Sequence, residues 1–169
     1  MKTKIFLFSI SLLTSMIALG VSIDSLTTQL NHVNTQIKAI KQSWSKENTR
    51  IKLAEKASSS LYTSIKPIFE KIIASNEFIT KMNTAVDQQF DYIVNNSITF
   101  KNLNSIDNNL SDFYPNITMH SFGLKLYTAM ANKAYYLALG QKLAEKAKEI
   151  AATILITQKK LPIKPAEAA

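Results

Sequence analysis

The sequence predicts an all-α protein made of long antiparallel helices with heptad-like packing, arranged as a helical hairpin or a three- to four-helix bundle without a sheet. From Ile23 to Ile93 the apolar residues step by three and four positions, which is the helical period and not the two-residue alternation of a strand. Three glycines and four prolines in 169 residues are too few for the many tight turns of a β-sandwich or barrel. With 46% hydrophobic and 19% charged residues, the chain has enough apolar side chains for one core.

The first twenty residues have the three-part pattern of a secretory signal peptide. Lys2 and Lys4 form a short positive region, and an apolar run follows from Ile5 to Leu19. Ala18 and Gly20 supply the small residues that signal peptidases need. The run is shorter than the roughly 20 residues of a membrane-spanning helix. We therefore expect a signal peptide at residues 1–20, cleavage near Gly20, and a mature chain that is secreted or periplasmic.

An apolar heptad frame follows the signal segment and predicts two helices before residue 96. The frame comprises Ile23, Leu26, Leu30, Val33, Ile37, Ile40, Trp44, Ile51, Ala54, Leu61, Ile65, Ile68, Ile72, Ile79, Met82, Val86 and Ile93, with misses at Glu47, Ser58, Ser75 and Gln89. Pro67 lacks an amide donor and disfavours helical backbone at Lys66, and three serines occupy positions 58–60. We therefore predict a break or strong kink between Ser58 and Lys66, with helices at about 22–60 and 67–95.

The rest of the chain predicts a loop, a third helix and a tail. Residues 96–120 are rich in Asn, Asp and Ser and contain Tyr114-Pro115, which indicates an irregular loop. The third helix is expected at 121–158, with one face marked by Leu126, Met130, Leu137, Ala144, Ala151 and Ile154. Residues 161–169 contain two prolines and are expected to form a flexible tail. A single helical domain therefore spans 21–160.

No residue pattern indicates a catalytic, cofactor or metal site. The chain has no cysteine, which excludes disulfides, thiolate zinc sites and a cysteine nucleophile. Its two histidines, His32 and His120, occur in none of the spacings typical of metal sites. Three glycines supply neither a phosphate-binding loop nor a nucleophile elbow. We predict a protein that is not an enzyme, binds no cofactor and has no evident small-molecule substrate.

Positive charge is concentrated in the C-terminal third of the chain. Residues 21–120 hold ten basic and nine acidic side chains, whereas residues 121–169 hold eight lysines and three glutamates. The third-helix lysines are the candidate contact with an anionic membrane surface or an acidic polymer: Lys125, Lys133, Lys142, Lys146, Lys148, Lys159 and Lys160. The alternative is an ordinary solvated face. Nucleic acid is disfavoured as a partner for two reasons. An exported protein no longer meets cellular nucleic acid, and a single arginine can make few bidentate hydrogen bonds to bases.

The aromatic residues divide into core and contact candidates. Trp44 lies in the heptad frame and is expected in the core. The pairs Tyr135-Tyr136 and Phe113-Tyr114 are the candidates for exposed contacts.

Together these observations predict an exported, non-enzymatic helical protein that acts by protein–protein binding or self-association. One alternative is a periplasmic holdase-like chaperone, a class that the chain resembles in size, charge and signal segment. Such chaperones trimerise through a body built of strands, and the sequence shows no strand pattern for one. Another is a secreted host-directed or membrane-surface-binding factor that uses the lysine-rich third helix. The 19 lysines against the single Arg50, with many Ile and Asn, indicate an AT-rich genome that we expect to be bacterial.

Overall fold

The computed structural model describes residues 22–95 and 121–160, all of them helical except Ser22, Ser58, Ala74 and Ser75. Four helices follow one another: α1 (Ile23–Ala57), α2 (Ser59–Ile73), α3 (Asn76–Asn95) and α4 (Ser121–Lys160). The all-α prediction is confirmed, and the described ranges contain no strand. The predicted signal peptide 1–20, loop 96–120 and tail 161–169 lie outside the described residues.

The predicted helix start at Pro67 is wrong. The chain does leave the helical region within the predicted window, at Ser58, whose φ and ψ are −156° and 83°. However, α2 begins at the next residue and Pro67 lies inside it. Proline is tolerated there because its side chain is exposed, while Tyr62 and Phe69 on the opposite face are buried and hold the helix against the core.

A second break, between α2 and α3, was not predicted. The Ser75 hydroxyl accepts a hydrogen bond from the Phe78 amide at 3.2 Å, which caps the start of α3. The Ala74 amide still donates to the Glu70 carbonyl at 2.9 Å and closes α2. Ser58 and Ser75 were both misses in the heptad frame, so these misses mark helix ends rather than polar positions in a core.

Each break changes which residues face the core. The heptad frame placed Leu61, Ile68 and Ile79 inside, and all three are exposed. At these three positions the buried residue stands one position away, at Tyr62, Phe69 and Phe78. The frame is therefore shifted by one residue in α2 and at the start of α3, and it matches the core again at Val86 and Ile93.

Helix α4 packs against the other three helices. Its main partner is α1, which runs antiparallel to it, since Asn48 lies opposite Lys133 and Ile40 lies opposite Gly140. The Phe69 ring packs edge-on against Tyr127 with centroids 5.3 Å apart. Asp87, further along the chain than Phe69, contacts Lys142, which is further along α4 than Tyr127. The chain from α2 into α3 therefore runs in the same direction as α4.

The core is one cluster centred on α4. Its largest fully buried side chains are Tyr127, Tyr135, Phe78, Ile40, Ile93, Leu126, Leu139, Leu143 and Val33. The predicted single face of the third helix is corrected, because Leu137 is 52% exposed while Tyr135 and Leu139 are buried. A helix with partners on several sides buries more than one apolar stripe.

Two predictions about aromatic residues are also revised. Tyr135 and Tyr136, expected as exposed contacts, are 1% and 6% exposed and pack edge-on with centroids 5.6 Å apart. Trp44 contacts the core but is only partly buried. The Phe113-Tyr114 pair lies outside the described residues.

Replacing Tyr135 by phenylalanine is expected to stabilise the fold. The buried Tyr135 hydroxyl has no hydrogen-bond partner among the described residues, so its removal should raise the free energy of unfolding by about 1 kcal/mol at neutral pH. Burial also raises the pKa of the Tyr135 phenol above its ordinary value. Wild-type stability is thus retained below about pH 10 and lost as the pH rises from there, because the unfolded chain ionises first.

Urea unfolding followed by circular dichroism at neutral and alkaline pH measures both effects. The exposed Tyr92→Phe is the matched control and should change stability little. Equal alkaline losses in wild type and Tyr135→Phe would contradict the assignment.

Candidate functional site

The candidate lysines of α4 do not form one surface. Lys133 Nζ donates to Asn48 Oδ1 at 2.8 Å and lies 5.2 Å from the centroid of the Trp44 ring. Lys142 forms an ion pair with Asp87 and lies 4.6 Å from the centroid of the Phe90 ring. These two lysines join α4 to α1 and to α3, respectively, so they have a structural explanation.

The remaining lysines are spread along the helix. Lys146 forms an ion pair with Glu149 at 3.1 Å, which places it in a local pair on α4. Lys125, Lys148 and Lys159 are exposed and make no ion pair within ranges 22–95 and 121–160. Lys160 is the last residue of α4. With a rise of about 1.5 Å per residue, Lys125 and Lys159 are roughly 50 Å apart along the helix axis.

Two apolar grooves lie on opposite sides of the α1–α4 pair. On a helical wheel, the α1 residues of the two grooves fall on either side of the line through Ile40, Glu47 and Ala54. Grooves of this kind form where antiparallel helices touch along a narrow line, and neither α2 nor α3 contributes a residue to the lining of these two.

We call the first the Trp44 groove, and its volume is about 560 Å³. It is lined on α1 by Ile37, Ile40, Lys41, Trp44 and Ser45, and on α4 by Tyr136, Leu137, Gly140, Gln141 and Ala144. Gly140 sits against Ile40 and contributes no side chain to fill the space. The Trp44 ring forms one wall and the exposed Leu137 forms part of the other.

We call the second the Arg50 groove, and its volume is about 630 Å³. It is lined on α1 by Glu47, Arg50, Leu53, Ala54 and Ala57, and on α4 by Phe122, Leu124, Lys125, Leu126, Thr128 and Ala129. Two large apolar side chains, Leu53 and Leu124, are exposed at its edges.

A half-buried ion pair sits in the Arg50 groove. Arg50 Nη1 donates to Glu47 Oε1 at 2.7 Å, and the two residues are three positions apart on α1. The side chain of Glu47 is 7% exposed, whereas that of Arg50 is 65% exposed. Glu47 Oε2 is buried and has no partner among the described residues. The carboxylate therefore anchors one edge of the guanidinium and leaves its other donors facing outward.

Sequence reasoning did not identify the Arg50 groove. Two signals were present: Glu47 was a charged residue at a core position of the frame, and Arg50 was the single arginine in the chain. A buried acidic residue in a heptad seam needs a basic partner, and the residue three positions further along the same helix is close enough to be that partner.

The described residues contain no candidate metal centre. They contain no group of three or more histidine, cysteine, aspartate or glutamate side chains placed to hold a metal ion. Among the helices α1 to α4, none is both long enough and apolar enough to cross a membrane.

Replacement of Gly140 by alanine should raise the free energy of unfolding by about 1 kcal/mol, because glycine in a helix interior loses more conformational entropy than alanine. A Cβ at this position would lie 3.5 Å from Ile40 Cγ2, an ordinary van der Waals contact, so the seam has room for it. Chemical denaturation measures the change. The control Ala144→Gly, one turn further along α4, should lower stability by a similar amount. A loss of stability in Gly140→Ala would show that the helices pack more closely than described.

Comparison with family models, curated proteins and solved structures finds no match to this chain.

Proposed function

We propose that this chain is an exported, non-enzymatic helical protein that acts by binding another protein chain in the Trp44 groove. The observation that carries the proposal is the groove itself, where Trp44 and the 52%-exposed Leu137 leave apolar surface uncovered at the middle of the α1–α4 pair. Uncovered apolar surface of this kind is typical of interaction sites. Export is supported by the signal-like pattern of residues 1–20.

The groove has the chemistry of a helix-binding site. Its α1 wall residues Ile37 and Trp44 are seven positions apart, as are its α4 wall residues Leu137 and Ala144. Heptad spacing on both walls matches a third helix lying along the groove, with its own apolar residues at the same repeat. Tryptophan is among the residues most often found at the energetic centres of protein interfaces, and the partly exposed Trp44 lines this groove.

Charge around the groove favours an acidic edge on the bound helix. Lys41 is part of the lining, and Lys133 lies over the Trp44 ring. The bound helix belongs either to a different protein or to a second copy of this chain. The mass of the purified protein in solution distinguishes the two, because only self-association doubles it.

Leu137→Asp should abolish binding, because it places a charge on the apolar wall of the groove. Leu155→Asp is the matched control: Leu155 is also on α4 and is 58% exposed, but it is outside both grooves. Crosslinking of the tagged protein in its native compartment, and light scattering over a dilution series, report partner capture and self-association. We expect Leu137→Asp to lose the crosslinked or dimeric species by about tenfold or more. Equal behaviour of the two variants, both with wild-type helicity, would rule out the groove as the docking site.

A second candidate function is binding to an anionic membrane surface through the end of α4. Leu155 and Ile156 are exposed there. Lys148, Leu155 and Lys159 occupy positions i, i+7 and i+11, so the two exposed lysines lie on the same face of the helix as Leu155. Apolar side chains flanked by lysines are typical of helices that lie on anionic lipid. The holdase-like alternative has no comparable support, since α1 to α4 include no strand for a trimerisation body.

Flotation with vesicles tests the surface-binding function. The protein is expected to float with vesicles that contain anionic phospholipid and to detach at high salt, because the lysines contribute about 1 kcal/mol each near such a surface. The double variant Lys148→Gln, Lys159→Gln should weaken vesicle binding by roughly thirtyfold, whereas Lys142→Gln, which removes a cation already paired with Asp87, should weaken it little. Flotation that is absent, or insensitive to salt, counts against this function.

A further inference from the structure

The Arg50 groove differs chemically from the Trp44 groove, because it combines an apolar trough with two cations. Arg50 and Lys125 are both exposed and stand on the two helices that form the groove. The one acidic residue in the lining is Glu47, whose Oε1 is already bound to Arg50. The excess charge of the lining is therefore one positive charge, on a surface otherwise made mostly of leucine, alanine and phenylalanine.

The two cations line the same groove, close enough along the helix axes for their side chains to approach one another. Asn48 opposite Lys133 and Ile40 opposite Gly140 set an antiparallel register. In this register Lys125 lies opposite Glu55, which is not part of the groove lining. Arg50 and Lys125 are then separated by roughly 7 Å along the helix axes, which the lengths of their side chains span. The two side chains can contact the same small anion at the edge of the groove.

Glu47 fixes the orientation of Arg50. An exposed guanidinium ordinarily loses side-chain entropy when it binds a ligand. Here the buried Glu47 carboxylate, at 2.7 Å, already holds one edge of the fork, and the outward donors of Arg50 make no hydrogen bond within the described helices. A planar fork with free parallel donors fits a carboxylate in a bidentate manner.

The apolar part of the groove fits an alkyl chain. Ala54, Ala57 and Ala129 present small side chains, so the trough between the helices stays open, and Leu53 and Leu124 expose apolar surface at its edges. From Arg50 to Ala57 the α1 wall rises by roughly 10 Å, and Phe122, which the same register places opposite residues 58–59, extends the trough to roughly 13 Å, close to the extended length of a medium alkyl chain. A ligand with no polar atoms along its body leaves nothing unpaired when it is buried there.

We infer that the Arg50 groove binds a single-chain aliphatic carboxylate, with the carboxylate held by Arg50 and Lys125 and the alkyl chain lying over Ala54 and Ala57. The charge of the lining selects the anionic head, and the apolar trough selects the chain. The site is separate from the Trp44 groove, so it stands whether or not that groove binds a protein.

Isothermal titration of the full mature chain with dodecanoate, below its micellar concentration, tests the inference. One molecule is expected to bind per chain, and dodecanol, which has the same alkyl chain with a neutral head, is expected to bind at least about tenfold more weakly. Dodecyltrimethylammonium, with a cationic head, should not bind. Equal affinity for the three amphiphiles would overturn the inference, since it would show adsorption to apolar surface alone.

Variants locate the site. Arg50→Gln and Lys125→Gln should each weaken dodecanoate binding by about tenfold, and Arg50→Lys should restore part of the loss. Because Arg50→Gln leaves the buried Glu47 without its partner, Lys125→Gln is the decisive variant: Lys125 is exposed and no described contact depends on it. Leu53→Asp should abolish binding, and Leu137→Asp in the Trp44 groove should leave it unchanged. Wild-type affinity in Lys125→Gln or Leu53→Asp, or a loss in Leu137→Asp, would overturn the placement.

Discussion

The antiparallel pairing of α1 with α4 is the contact on which the rest of the structure depends. Helix α4 packs against each of the other three helices, whereas α1 makes few direct contacts with α2 and α3. The chain has no cysteine, so no disulfide reinforces this arrangement. Loss of the α1–α4 seam would therefore open both grooves and expose buried residues of the shared core, such as Val33 and Ile40, at the same time. Stability and the proposed binding surfaces rest on one interface.

That interface is partly polar on the α1 side, which explains why it leaves grooves. Gln36, Ser43 and Glu47 are buried along α1, while the apolar Ile37 and Trp44 lie at its edge and are only partly covered. Polar residues in a helix seam reduce the hydrophobic gain but favour one register over its neighbours. The apolar residues displaced to the edge become the wall of the Trp44 groove. On the other edge, Glu47 holds Arg50 at the second groove.

The helical period predicted the fold class because every helix needs an apolar stripe, and Val33, Ile40, Val86 and Ile93 are buried as the frame required. The frame failed in α2 and at the start of α3, since the rotational phase just after each break depends on backbone angles that no local pattern encodes. Pro67 was misjudged because its tolerance depends on which side of α2 meets solvent, a tertiary property. The candidate sites were predicted only in part: Trp44 was placed on the seam, but the Arg50 groove requires the register of α1 against α4, which relates residues far apart in the sequence.

The same long separation governs the order in which the molecule assembles. Asn48 and Lys133, which hold α1 and α4 together, are 85 positions apart. Contacts this distant cost loop-closure entropy before they return any stabilisation, and they cannot form until the final quarter of the chain has been synthesised. Until then α1 lacks α4, the helix against which it packs most extensively. For a chain that we propose is exported, delayed closure is an advantage, because a polypeptide that has not yet folded is the form that can be threaded across a membrane.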